Sequence, residues 1–192
     1  VFHPQSSGHY REHVAHLLAH SGSVPMTAVV HPEICQWLKD EGIGSQGEAS
    51  TEIIDVESVD LMEIESASDY ISLSLAHWRI LDRWAQRVQP HHCVVLRINQ
   101  YQFALSLPWT YNLEYSLSGL LMHPYPREKA EGGMSTERLY GVVQRCRRSM
   151  SLRMAMLNPS LSQVSVLNDP YVARYLNKYV DREEKRFESV LD

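Results

Sequence analysis

The sequence predicts an α/β fold, a doubly wound and mainly parallel sheet with helices on both faces. Three observations carry that expectation. Short β-rich runs alternate with helical patterns along the chain, turn-forming residues sit where strands pass into helices, and Cys93 to Ile98 is an almost unbroken apolar run of the kind found in a strand buried on both faces. Parallel neighbours need helix-sized, right-handed returns, so alternation of this kind calls for a covered parallel sheet. With 192 residues, 44% hydrophobic and 21% charged, the chain can fill one core of ordinary size, and 1–192 is expected to be a single domain. A division at Pro124 to Met134 is the alternative, but it would leave each half little to bury.

The elements follow in order. Val1-Phe2-His3 ends a strand, and Pro4 to Gly8 is a turn-forming run that leads into a helix carrying Tyr10, Val14, Leu17 and Leu18 at helical spacing, closed by Ser21-Gly22. Met26 to Val30 is a short strand, and Pro32-Glu33 opens a helix that stops at Gly42. Gly42 to Ser50 reads as a loop and Glu52 to Val56 as a third strand. Between Ser66 and Gln89, the residues Ile71, Leu75, Trp78, Leu81, Ala85 and Val88 recur at intervals of three and four, which predicts the longest helix, ended by Pro90. Strands are then expected at Cys93 to Ile98 and Leu117 to Met122. Pro124 to Met134 is a polar connection, Ser135 to about Leu157 an arginine-studded helix, Gln163 to Leu167 a strand, and Pro170 the start of a last helix.

Composition narrows the function classes. Eighteen Lys and Arg against 23 Asp and Glu give a net charge of −5, which provides no global field for a phosphate backbone, so nucleic acid is not an expected partner. No apolar stretch approaches the roughly 20 residues needed to cross a bilayer. Cys35, Cys93 and Cys146 are odd in number and lack C-x-x-C spacing, which fits a reducing compartment, with the cytoplasm as the expectation. The first residues look like a strand whose beginning is cut away, and the last, Phe187 to Asp192, stop without a closing element; a fragment is expected.

In a doubly wound sheet the ligand crevice lies at the carboxyl ends of the strands. The turn after the first strand places Ser6, Ser7, Gly8 and His9 at a helix amino end, where free N–H groups favour anionic or polar ligands. Neither G-x-G-x-x-G nor G-x-x-x-x-G-K-[ST] is present, and a plain strand-to-helix turn is the competing account. Asn99, Gln100 and Tyr101 follow the central strand and His123 the next, so these should open on the same crevice; a strand-end imidazole is a reasonable base near neutral pH, although a lone His is more often structural. His9, His13, His16 and His20 form one helical stripe, for which a polar helix flank is favoured over a metal site because no partner ligand is evident from another element. There is no G-x-S-x-G elbow, and Cys93, inside a strand, is expected to be inert. Arg145, Arg147, Arg148 and Arg153, interleaved with Met150, Leu152 and Met154, could make an anion or acidic-lipid surface, but such runs are more often a solvated helix face.

Together, Ser6-Ser7-Gly8-His9 with the helix after it, then "SVPMTAVVHP", "QPHHCVVLRINQYQFAL", "YSLSGLLMHPYP" and "LNPSLSQVSVLNDPYVARYLN", resemble the amino-terminal Rossmann-like half of GT-B glycosyltransferases of the family 4-like, retaining kind. The resemblance implies sugar transfer, as by a hexosyltransferase, from a nucleotide sugar held by a carboxyl-terminal half absent here to a saccharide or glycolipid acceptor. An isolated fragment would then be inactive. It makes Gly8 and His9 the loop facing donor phosphates and acceptor, with Ser7 beside them. His123 borders the reacting sugar, and Asn99 and Tyr101 line the acceptor side. It implies no cofactor and no metal, the nucleotide sugar being a co-substrate, and is compatible with peripheral contact at the inner face of a membrane. The first turn departs from the family in carrying Ser-Ser-Gly in place of a run of glycines. The competing functions are a non-catalytic Rossmann-like binding module and a small α/β enzyme using the histidine stripe with a metal.

Overall fold

The computed structural model describes residues 1–6, 10–44, 50–121, 136–167 and 186–190. The chain divides between Leu96 and Arg97 into two compact units.

The first unit holds strands β1 (Phe2–His3), β2 (Met26–Val30), β3 (Thr51–Asp55) and β4 (His92–Val95), and helices α1 (Tyr10–Ala19), α2 (Pro32–Asp40), α3 (Ser58–Glu65) and α4 (Tyr70–Val88). Its strands lie in the order β3-β2-β1-β4 and every pairing is parallel, with Phe2 opposite both Val29 and Val95, and Val30 opposite Asp55. The fold is therefore the expected α/β, Rossmann-like one. The returns through α1 and α2 step one way along the sheet, and the return through α4 steps back past β1. Right-handed crossovers then put α1 and α2 on one face and α4 on the other. Side chains agree: the His3 ring lies 4.3 Å from that of Tyr10 in α1, whereas Phe2, the next residue back in the strand, borders a cavity with Leu81, Trp84 and Ala85 of α4.

Local chemistry explains the boundaries. In α1 the buried residues Tyr10, Val14 and Leu18 repeat every four positions, and Arg11 lies 5.2 Å over the Trp37 ring of α2. Helix α2 has Pro32 in its first turn and His31 as its cap, and buries Ile34, Cys35 and Leu38; it ends where Ile43 N–H reaches back to Leu38 O at 2.9 Å across Gly42 at φ 67°. Two residues on, Gly44 sits at φ +93°, a conformation that favours glycine, and a Cβ there would crowd Thr51 Cγ2 at 3.0 Å. Helix α4 opens on a capping box: Asp69 accepts from Ile71 N–H at 2.7 Å and Ser72 N–H at 2.9 Å, while Asp69 N–H donates to Ser72 Oγ at 3.1 Å. Gln89, left-handed at φ 50°, ends it before Pro90.

Two expectations need correction in this unit. The segment ahead of Ser66 contains α3, which the apolar pattern did not show. Its hydrophobic residues Val59 and Met62 are exposed, and the residue it buries is Asp60. The predicted strand from Cys93 to Ile98 ends at Val95. Leu96 and Ile98 are buried in a turn, not a strand: Arg97 breaks from extended geometry at ψ 72°, and the N–H groups of Gln100 and Tyr101 return to the carbonyls of Arg97 and Ile98. An apolar run reports burial, and burial alone does not select strand.

The second unit begins with the single 3-10 turn Ile98–Gln100, the short helix α5 (Gln102–Leu105) and a further turn at Pro108–Thr110, followed by β5 (Ser116–Leu121), α6 (Thr136–Met156), β6 (Leu161–Leu167) and β7 (Arg186–Val190). Its strands run parallel in the order β5-β6-β7, with a register slip where Leu117 pairs Leu161 but Ser118 pairs Gln163. Asn158, wholly buried just past α6, ties the unit together. Its Nδ2 donates to Leu105 O at 3.0 Å, Thr110 O at 3.2 Å and Thr110 Oγ1 at 2.8 Å, and its Oδ1 accepts from Ser160 N–H at 2.9 Å. The expected connection from Pro124 to Met134 and the helix expected from Pro170 lie outside the described residues.

Candidate functional site

The order β3-β2-β1-β4 reverses at β1, since the chain winds from β1 outward to β3 and then returns to the other side of β1. That reversal marks the carboxyl edge of β1 as the place where a doubly wound sheet opens to a ligand. Two histidines stand on this edge. His3 closes β1 and His31 follows β2, and the His31 backbone N–H donates to His3 O at 3.0 Å. Asp55 closes β3 in register with Val30 and is exposed.

Their side chains have different duties. The His3 imidazole is 1% exposed and lies against Tyr10, so it forms the floor of the edge. His31 is half-buried, and its Nδ1 accepts from Glu33 N–H at 3.2 Å, capping α2. Accepting at Nδ1 requires the neutral ring with its proton on Nε2, so His31 offers an N–H donor on its far side. Pro4 is buried in the turn after β1, with Gln5 half-buried and Ser6 exposed. Ser7, Gly8 and His9, expected to face the ligand from this turn, lie outside the described residues, as does His123.

Asn99 and Tyr101 belong to the second unit. Tyr101 is 2% exposed and packs into that unit's core, its carbonyl accepting from Leu105 N–H at 2.8 Å. Asn99 is half-buried in the 3-10 turn, and its Oδ1, like Gln102 Oε1 three residues on, is buried with no hydrogen-bond donor among the described residues. An unfilled buried acceptor costs free energy, and a hydroxyl-bearing ligand is one source of the missing donor. Gln102, 3% exposed, was not among the expected site residues.

His3 and His31 were also missed, although the sequence contains a signal for them. Two apolar residues, His and Pro occur in succession three times, at Val1 to Pro4, Val29 to Pro32 and Leu121 to Pro124, and the first two instances close adjacent strands. Of these three histidines, the sequence expectation includes His123 alone.

Two other features offer less chemistry. A cavity of about 490 Å³ lies at the amino ends of β1, β2 and β4, the opposite edge from the crevice, and is lined mainly by apolar side chains of α4 and the strands. Cys93 borders it, and burial pushes that thiol up to about 11, so it supplies no thiolate near neutral pH. Burial also lowers the pKa of His92 beside it. Along α1, His13 is half-buried, and the exposed rings of His16 and His20 lie 4.0 Å apart with His20 Nδ1 at 2.8 Å from His16 O. Among the described residues no three His, Cys, Asp or Glu side chains come together to hold a metal ion.

Comparison with known families, curated proteins and solved structures finds no match to this chain.

Proposed function

We propose that this chain is the acceptor-side half of a GT-B glycosyltransferase, which passes a sugar from a nucleotide-sugar donor to a saccharide or glycolipid acceptor. The observation that supports the reading most is the parallel order β3-β2-β1-β4, with its reversal at the strand that Ser6, Ser7, Gly8 and His9 follow in the sequence. Asn99 Oδ1 and Gln102 Oε1, buried with no donor among the described residues, suit a ligand rich in hydroxyl donors. In this account the departing diphosphate takes the acceptor proton as the new glycosidic bond forms, so no protein nucleophile is required. His9 contacts sugar or phosphate, His123 positions and polarises, and Ser7, Gly8 and Asn99 bind. The nucleotide-sugar half would come from elsewhere in the complete enzyme.

A second reading, a binding module without chemistry, draws on the same edge: His3 is buried and His31 caps a helix, so both imidazoles already serve the fold. One experiment separates the two. The protein expressed from its complete gene is assayed with a panel of labelled nucleotide sugars and saccharide or glycolipid acceptors, alongside His9→Ala and His123→Ala. Sugar transfer that falls by about 100-fold in these variants supports the first reading, since misplacing a reacting group by about 1 Å costs a factor of that size. Absence of transfer across the panel, or transfer untouched by both substitutions, favours the second.

A further inference from the structure

The face that α6 turns away from the core carries a pattern the sugar-transfer reading does not use. Ser151, Leu152, Ala155 and Met156 are buried, and α6 packs on α5. Leu152, grouped in the sequence with the apolar anchors of the arginine run, thus belongs to the core. On the other side Val143, Met150, Met154 and Leu157 are exposed, at 41, 69, 42 and 53%. Their spacings of seven, four and three residues place them in one line, about 21 Å long at the rise of an α-helix. Exposed Arg147 falls within the line between Val143 and Met150, and exposed Cys146 and Arg153 flank it. All seven residues share an arc of about 120°.

Such an arc differs from an ordinary solvated helix face. A helix solvated for its own sake presents polar residues there, whereas here large apolar side chains alternate with guanidinium groups. Of the five arginines of α6, Arg147 and Arg153 lie on this arc, in a chain whose total charge is −5. A nucleic-acid backbone would use the arginines and leave the methionines in water. An acidic lipid surface uses both, because guanidinium groups pair with headgroup phosphates while flexible thioether and aliphatic side chains enter the acyl boundary. The stripe does not span: among the described residues no helix is long and apolar enough to cross a membrane.

We infer that the Val143–Leu157 face of α6 is an interfacial membrane-binding surface, selective for bilayers containing anionic phospholipid. The inference goes beyond the sugar-transfer reading and does not rest on it.

The test uses the unlabelled chain in co-sedimentation with vesicles of phosphatidylcholine alone or mixed with phosphatidylglycerol. A parallel sample carries an environment-sensitive fluorophore on Cys146, the exposed cysteine on this face; Cys35 and Cys93 are buried. The expected result is pelleting with the mixed vesicles only, accompanied by a blue shift of the probe. Binding should weaken about fivefold in Arg147→Gln, as fits about 1 kcal/mol for a basic residue near an anionic surface. In Met150→Asp it should weaken by about tenfold or more. Met150 is well exposed, so circular dichroism of that variant should match the parent. Three results would overturn the inference: no pelleting with either vesicle, equal pelleting with both, or a self-associated chain in sedimentation velocity that Met150→Asp turns monomeric without any vesicle binding. Sugar transfer is not read in any arm, so failure here leaves the preceding proposal standing.

Discussion

Cys93 shows how far one buried group can govern behaviour in alkali. The thiol is 7% exposed within β4, and burial raises it to about 11 from the ordinary 9.0. The folded state therefore prefers the protonated form. That preference stabilises the fold fully below the unfolded value and is lost as pH climbs from about 9 to about 11, where the unfolded chain ionises and the native one resists. Urea titrations at pH 8 and pH 11 should show a fall in stability of about 2 kcal/mol from this residue, and Cys93→Ala should reduce that fall. Equal alkaline sensitivity in parent and variant would remove the thiol from the account. The same burial is legible in the sequence: a thiol at the head of the apolar run Cys93 to Ile98 predicts a protonated sulfur. The role of His31 was not legible, because capping depends on the bond from Glu33 N–H to Nδ1, and the sequence shows only a His before Pro.

At the scale of elements, the pairing of α3 with α4 inverts the usual rule. Asp60, 1% exposed, accepts from Trp84 Nε1 at 2.8 Å and from Arg83 Nη2 at 2.6 Å; Glu63 receives Arg79 at 2.5 Å and Arg83 at 3.0 Å, and Arg87 pairs with Glu57 at the far end. A polar seam thus fixes α3 while Val59 and Met62 face outward. Apolar periodicity, the signal that revealed α4, carries no information about a helix held this way. Removing the carboxylate strands the buried indole N–H of Trp84 and leaves Arg83 to Glu63 alone, so Asp60→Ala should cost about 2 kcal/mol in chemical denaturation, well beyond the few tenths expected for a surface acid. Burial alone would raise the Glu63 carboxyl, but the hydrogen bonds and charges of Arg79 and Arg83 hold it below its ordinary 4.5. Its contribution is present above that value and disappears as pH falls beneath it. Glu63→Gln should accordingly flatten the acid limb of the stability profile; an unchanged acid limb would show that the seam is not its source.

For the molecule as a whole, the α/β class and parallel winding were legible because strand runs and helical stripes differ in period, and Met26–Val30 matches its expected strand residue for residue. Less of the site could be read. Asn99, expected at the crevice from its place after the central strand, lies half-buried in the Ile98–Gln100 turn. Tyr101, picked on the same ground, points into a core, because the chain turns at Arg97 and the alternation of a strand no longer applies. The knot at Asn158 is not legible in the sequence, since its partners are 48 and 53 residues away and side-chain reach over that separation leaves no local trace. That separation has a kinetic meaning. A bond joining such distant parts of the chain can form only after α6 and the turn at Pro108–Thr110 have come together, so it belongs on the native side of the folding barrier. In stopped-flow chevrons, Asn158→Ala should leave the refolding limb almost in place and raise the unfolding limb, making this amide a latch that sets how long the native state lasts once it has formed.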